Sequence, residues 1–349
     1  MTGVQTCALP IYDGGSAKAT TTEATAKVDT KAVLQGLADD VIVPSYVALG
    51  SSLQTLEDAT AALCADPSKD ALAQARTAWA SAEQSYQQTR PVAVGPAEEA
   101  RLMSDIGFAA RATVIDDLLA GSAPVDPKAL ADEGSAARGI YASEIALFGD
   151  GSEALTTAEG ARRCEYAASV ATLSSQAADP VVKAWTDGEA TKQFVAGLDG
   201  GPQSSVDELV NTVTQRLNEI DAMGLRDMAE AKGIEDLDPD RLGGPADQQI
   251  ASRVALMQGV FGAIGDGDSG ISALVGAHSI DAQKRLVAAN EKAWNAMGDL
   301  PDSVAAALDE PAKVEAASKA VSKLKVLLST EVASQLGVTI TFSDSDGDS

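Results

Sequence analysis

Few residues in this chain have the types and spacing that chemistry needs. Its one histidine, His278, sits in the loop-like run Gly276-Ala277-His278-Ser279, and no H-E-x-x-H string occurs, so a zinc site of paired imidazoles on one helix has no basis. Without partner ligands close in sequence, His278 reads as a turn or helix-cap neighbour. A serine or cysteine hydrolase would need that histidine as its base, and nothing places a nucleophile beside it. Asp344, Asp346 and Asp348 alternate as calcium ligands do, yet Gly347 is misplaced for an EF-hand loop and no Glu follows, so residues 344–349 read as an acidic tail. The turn Gly265-Asp266-Gly267-Asp268 carries no stronger signal.

Of the three cysteines, Cys7 lies in Met1–Ile11, which lacks the basic start and long apolar centre of an export signal. Back-translated with GTG as the start codon, that stretch resembles a common short-read sequencing adapter, so residues 1–11 are expected to be an artefact and Cys7 carries no argument. Residues 12–31 are rich in Gly, Ser, Ala, Thr and Lys and are expected to be a flexible tether behind an envelope anchor, with a lipoprotein signal lost upstream. Cys64 and Cys164 either pair or stay as two buried thiols. Pairing would close a loop of about 100 residues, with a ceiling of about 4 to 5 kcal/mol from chain entropy, and would need an oxidising compartment.

The scaffold that must position these groups is expected to be all-α. Aromatics make up only 4% of the chain, while Ala, Leu, Val, Glu and Gln abound, which favours helices packed through small side chains over a β-sandwich. At 349 residues the chain exceeds a single core, so two helical-bundle domains are expected, residues 32–196 and 203–343. The net charge of −25 opposes nucleic acid and anionic lipid, and with no run of about 18 apolar residues the only membrane contact expected is through the lost lipid anchor.

Periodicity gives one long amphipathic stretch over residues 37–65, with Pro44 as a possible kink, then a helix after Asp66-Pro67 carrying Leu72, Ala75, Trp79, Ala82 and Tyr86 on one face. A helix over residues 103–120, another from Pro127 through Phe148, and a small-residue seam over 158–187, kinked or split at Pro180, complete the first bundle. Ser205-Val206-Asp207-Glu208 reads as a capping box opening the second. Residues 228–248 read as a long loop, followed by helices over 246–264, 279–297 and 311–336 and a short extended segment over 338–342.

Several strings resemble the imelysin-like family: Leu63-Cys64-Ala65 with Trp79 downstream, Arg138-Gly139 leading to Glu144 and Leu147-Phe148-Gly149, Arg162-Arg163-Cys164-Glu165-Tyr166, and the ending from Val332 to Asp348. Their order and spacing cover the chain from about Ala32 onward. The resemblance implies two helical bundles, a periplasmic or cell-envelope location, a disulfide between Cys64 and Cys164, association with iron or haem uptake components, and a historical label of metallopeptidase. The family's G-x-H-x-x-E motif corresponds to Gly139-Ile140-Tyr141-Ala142-Ser143-Glu144, where Tyr141 stands in place of histidine. A neutral phenol is a poor zinc ligand, so the peptidase reading loses most of its support. A phenolate and a carboxylate one turn apart are hard donors, so Tyr141 and Glu144 are the candidate metal residues, a ferric or haem half-site completed by the second domain. The other reading of the pair is a core or interface tyrosine hydrogen-bonded beside a solvated glutamate. Three functions follow: a binding protein for iron or haem acquisition, a metallopeptidase of the imelysin type, or a structural or partner-binding envelope module.

Overall fold

The computed structural model describes residues 28–197, 200–231, 233, 236, 237 and 248–341, and the described residues are helical with no strand. The expected artefact at 1–11, most of the tether at 12–31, most of the loop at 228–248 and the acidic tail at 344–349 lie outside them.

The chain opens with α1 (Thr30–Leu37) and, through one π-helical turn at Ala38–Ile42, runs into α2 (Val43–Ala65). The whole helix Thr30–Ala65 is long and apolar enough to cross a membrane by length and composition, although polar residues interrupt its apolar run. It serves here as a core helix: Tyr46, Leu49, Leu53, Leu56 and Leu63 are buried against α3 (Lys69–Thr89) and α9 (Ala161–Thr186). The Asp29 side chain caps α1 by accepting from Lys31 N. Ser68 caps α3, its Oγ accepting from Ala71 N at 3.2 Å. The single helix expected over 103–120 is two, α5 (Leu102–Gly107) and α6 (Ala112–Ala120), after the short α4 (Pro96–Glu99). The helix expected from Pro127 is likewise divided, into α7 (Pro127–Ala131) and α8 (Ile140–Phe148). α9 stays helical through Pro180.

The family-like strings have plain structural work. Arg162 donates to the carbonyls of Leu118, Leu119 and Ala123, closing the end of α6. Arg163 does the same for α8 through Ile145, Ala146 and Asp150; cations suit these carbonyl-rich ends. Cys64 and Cys164 form a disulfide, Cα to Cα 5.5 Å, that ties the end of α2 to the first turns of α9.

After α10 (Glu189–Ala196), the second set of helices begins with α11 (Pro202–Ile220). The expected capping box at Ser205 is not formed: α11 starts at Gly201-Pro202, and the buried Ser205 hydroxyl donates to Phe194 O at 2.6 Å, fastening α10. A π-turn at Asp221–Leu225 leads to α12 (Arg226–Glu230); then come α13 (Gln249–Ile264), α14 (Gly270–Gly276), α15 (Ile280–Gly298), α16 (Val304–Asp309) and α17 (Pro311–Leu327). A third π-turn, Leu328–Val332, joins α17 to α18 (Ala333–Leu336). α11, α13, α15 and α17 pack together, α3 lies against α13, and α1 touches α10 and α14. One continuous apolar core runs from Leu34 to Val338.

Each π-turn has a cause in the spacing of buried residues. Leu34, Ala38, Ile42 and Tyr46 are buried at three successive steps of four, as are Val213, Leu217, Asp221 and Leu225, and Leu324, Leu328, Val332 and Leu336. In an unbroken α-helix every step of four overshoots a full turn by about 40°. The wider π-turn absorbs that drift and keeps the stripe facing the core. After Gly337 the chain leaves the helix, and Asn211 brackets it: its amide donates to Thr339 O at 3.0 Å and accepts from Thr341 N at 2.8 Å. The part of the expected extended segment that is described, residues 338–341, forms no strand and is held by this side chain.

Candidate functional site

Tyr141 lies where the first set of helices meets the second. Two close approaches put it there. Gly139, with φ +87°, precedes α8, and a Cβ on it would stand 2.2 Å from Ile106 O, so only glycine lets α8 start this near α5. On α13, a Cβ on Gly259 would stand 2.2 Å from Gln88 O, so its absence lets α13 lie directly on α3. Trp79 then donates from Nε1 to Ile140 O at 2.8 Å and fixes the first turn of α8 against α3.

Glu83 and Gln87 of α3 and Arg90 just past its end follow one another along a helix face beside Trp79 and Tyr86. Gln87 Nε2 donates to Glu83 Oε1 at 2.8 Å and to the Tyr141 hydroxyl at 3.1 Å. From α13, Ser252 Oγ donates to Glu83 Oε2 at 2.6 Å. Arg90 donates to Gln87 Oε1 at 3.0 Å and to Glu219 Oε2 of α11 at 2.6 Å, and Arg216 pairs with the same Glu219. Arg90 also lies over the Tyr86 ring, which meets the Tyr141 ring edge to face at 6.5 Å. One hydrogen-bonded chain therefore joins α8, α3, α13 and α11.

The electrostatics follow from burial. Glu83 is 1% exposed, and desolvation raises its pKa against the hydrogen bonds from Ser252 and Gln87 and the charges of Arg90 and Arg253, which lower it. Burial pushes the Tyr141 phenol far above its ordinary range, with Tyr86, Glu83 and Glu144 adding to the effect and Arg90 opposing it. Arg253, whose Nη1 donates to Gln249 O, has its pKa lowered by desolvation.

Of the residues singled out from sequence, Tyr141 is at this junction, and Glu144, half-buried one turn along α8, adds its charge to the surroundings of Tyr141. The donors do not fit iron, haem or a divalent metal as they stand. The phenol is held protonated, both Glu83 oxygens already accept hydrogen bonds, and Arg90 and Arg253 bring cationic groups close. Among the described residues no three His, Cys, Asp or Glu side chains are grouped to hold a metal ion. His278 is far away in sequence and role: it lines a small cavity with Val28, Thr30 and Gln203 and precedes Ser279, which caps α15. Asp266 accepts from Asp268 N and Ser269 Oγ, an ordinary turn. Sequence reasoning missed Glu83, Gln87, Arg90, Glu219, Ser252 and Arg253. The one available signal was three polar residues spaced to share a helix face next to the apolar stripe of α3.

The family model described as Imelysin (Peptidase_M75) matches residues 42–330. No protein among curated sequences matches. Two solved structures share the fold at 18% identity, each alignment covering 90% of this chain and 97% of the other: an imelysin-like protein from Psychrobacter arcticum 273-4, TM-score 0.71, and a protein described as an iron-regulated protein A precursor from Parabacteroides distasonis ATCC 8503, TM-score 0.73.

Proposed function

Because the chain belongs to the imelysin family, we propose that it is a cell-envelope binding protein serving iron or haem acquisition, not a peptidase, in which the degenerate motif works as a hydrogen-bonded junction between the two sets of helices. The observation that carries this reading is the Tyr141 hydroxyl, in the position of the motif histidine, accepting from Gln87 Nε2 inside the Ser252–Glu83–Gln87 chain. A metallopeptidase needs an open Lewis-acidic centre, and a protonated phenol beside an engaged carboxylate supplies no ligand for one. The envelope location is supported by the disulfide, which needs an oxidising compartment. The iron link rests on the family and on the iron-regulated neighbour of the same fold. Partners are then envelope uptake components.

A second reading keeps Tyr141 and Glu144 as a ferric or haem half-site. It is favoured by the place of Glu144, one turn along α8 and near enough for its charge to act on Tyr141. The experiment is to equilibrate the oxidised protein with iron and with haem, then measure bound metal and haem absorption in the wild type, Tyr141→Phe and Glu144→Gln. Uptake by the wild type that is unchanged in both variants is expected, and absent uptake would leave a structural or partner-binding module instead. Stoichiometric iron or haem lost in both would replace the junction by the half-site, and chelator-sensitive proteolysis would restore the peptidase.

A further inference from the structure

An open cleft of about 640 Å³ lies beside the Cys64–Cys164 disulfide, and Tyr141 is not among the residues that line it. Its walls are Pro67 in the α2–α3 connection, Pro127 at the start of α7, Leu155, and the face of α9 that bears Ala161, Ala168 and the disulfide. That volume lies within the range of small-molecule sites, which are mostly apolar with a few placed polar groups.

The polar groups here share one property. The ionisable side chains lining the cavity are Asp126 and Glu165, and no basic residue lines it. Glu165 is exposed, and Asp126 uses Oδ1 to accept from Ala129 N at 3.0 Å. The hydroxyl protons of Thr157 and Thr172 are already given to Ala154 O and Glu57 Oε1. Apart from the Ser169 hydroxyl, the side chains of the cavity therefore offer carboxylates and hydroxyl lone pairs, which suit a ligand that brings N–H donors and positive charge. The apolar walls call for a hydrocarbon body.

We propose that this cavity binds a small organic cation, an alkylammonium whose nitrogen meets Asp126 and Glu165 and whose chain lies on Pro67, Pro127, Leu155 and the disulfide. The site does not depend on the role given to Tyr141.

The test is calorimetric titration of the oxidised full chain with hexylammonium, hexanoate and hexanol at about 150 mM salt, where diffuse attraction to the acidic surface is screened beyond about 8 Å. Saturable one-to-one binding of hexylammonium is expected, with hexanoate and hexanol weaker by at least about tenfold. The double variant Asp126→Asn with Glu165→Gln keeps the α7 cap, because Asn caps as well as Asp, and should weaken hexylammonium by at least about tenfold. Ala168→Phe should abolish binding by filling the cavity, and Ala161→Leu, at an exposed position, does the same where the larger change prevents folding. Failure of the folded wild type to bind hexylammonium, equal binding of all three probes, or affinity unchanged in these variants would overturn the proposal.

Discussion

Glu83 should make the stability of this protein fall as pH rises, in a way that one isosteric substitution removes. The side chain is 1% exposed, and burial, the largest influence, raises its pKa above the ordinary 4.5. A carboxyl that holds its proton more tightly folded than unfolded stabilises the fold fully below the ordinary value, and that contribution is lost as pH rises through the folded value. Each unit of difference is worth about 1.4 kcal/mol. Glu83→Gln is neutral at every pH. The new carbonyl can accept from Gln87, and the Ser252 hydroxyl, already within 3.1 Å of Gln248 O, can donate there and accept from the new amide. The variant should therefore gain on the wild type progressively as pH rises above the ordinary carboxyl value. Glu83→Ala, which leaves Gln87 and Ser252 without their acceptor, should cost about 2 to 4 kcal/mol at pH 5. Denaturant unfolding followed by tryptophan fluorescence at several pH values measures both, since Trp79 and Trp185 are fully buried. A difference between wild type and Glu83→Gln that stays constant with pH, or that grows in favour of the wild type as pH rises, would refute the reasoning.

The disulfide spans 100 residues, so replacing Cys64 and Cys164 by serine should lower the unfolding free energy by about 3 to 5 kcal/mol. A reductant should do the same to the wild type and nothing to the variant, as read from denaturant midpoints. Gly139→Ala should cost more than about 2 kcal/mol, because φ is +87° and the new methyl would meet Ile106 O, and a lowered melting temperature by circular dichroism would show it.

The sequence was legible where a helix buries one face and exposes the other. Leu72, Ala75, Trp79, Ala82 and Tyr86 share a stripe in the sequence, and all are buried in α3. α14 escaped notice because every one of its seven residues is buried, so no apolar–polar alternation marks it. Ser205 looked like a cap because its neighbours match the capping-box pattern, but Gly201-Pro202 starts the helix a turn earlier and leaves Ser205 facing α10. Of the site, Tyr141 and Glu144 could be found because they stand in the string that resembles the family's G-x-H-x-x-E motif. Glu83 and Ser252 meet across 169 residues, and only packing of α3 on α13 brings them together.

The π-turn at Ala38–Ile42 lets one helix belong to two neighbourhoods. α2 sits among α3 and α9, whereas α1, before the turn, packs on α10 and α14. Converting Ala38–Ile42 to α-helix with every residue kept would swing Leu34 and Leu37 by about 100° around the axis relative to Tyr46, whereas deleting one residue there would give α-helix with their facing nearly unchanged. The wide turn is therefore a phase shifter: it sets the angle between the two ends of the first helix and so the direction from which α10 and α14 approach it.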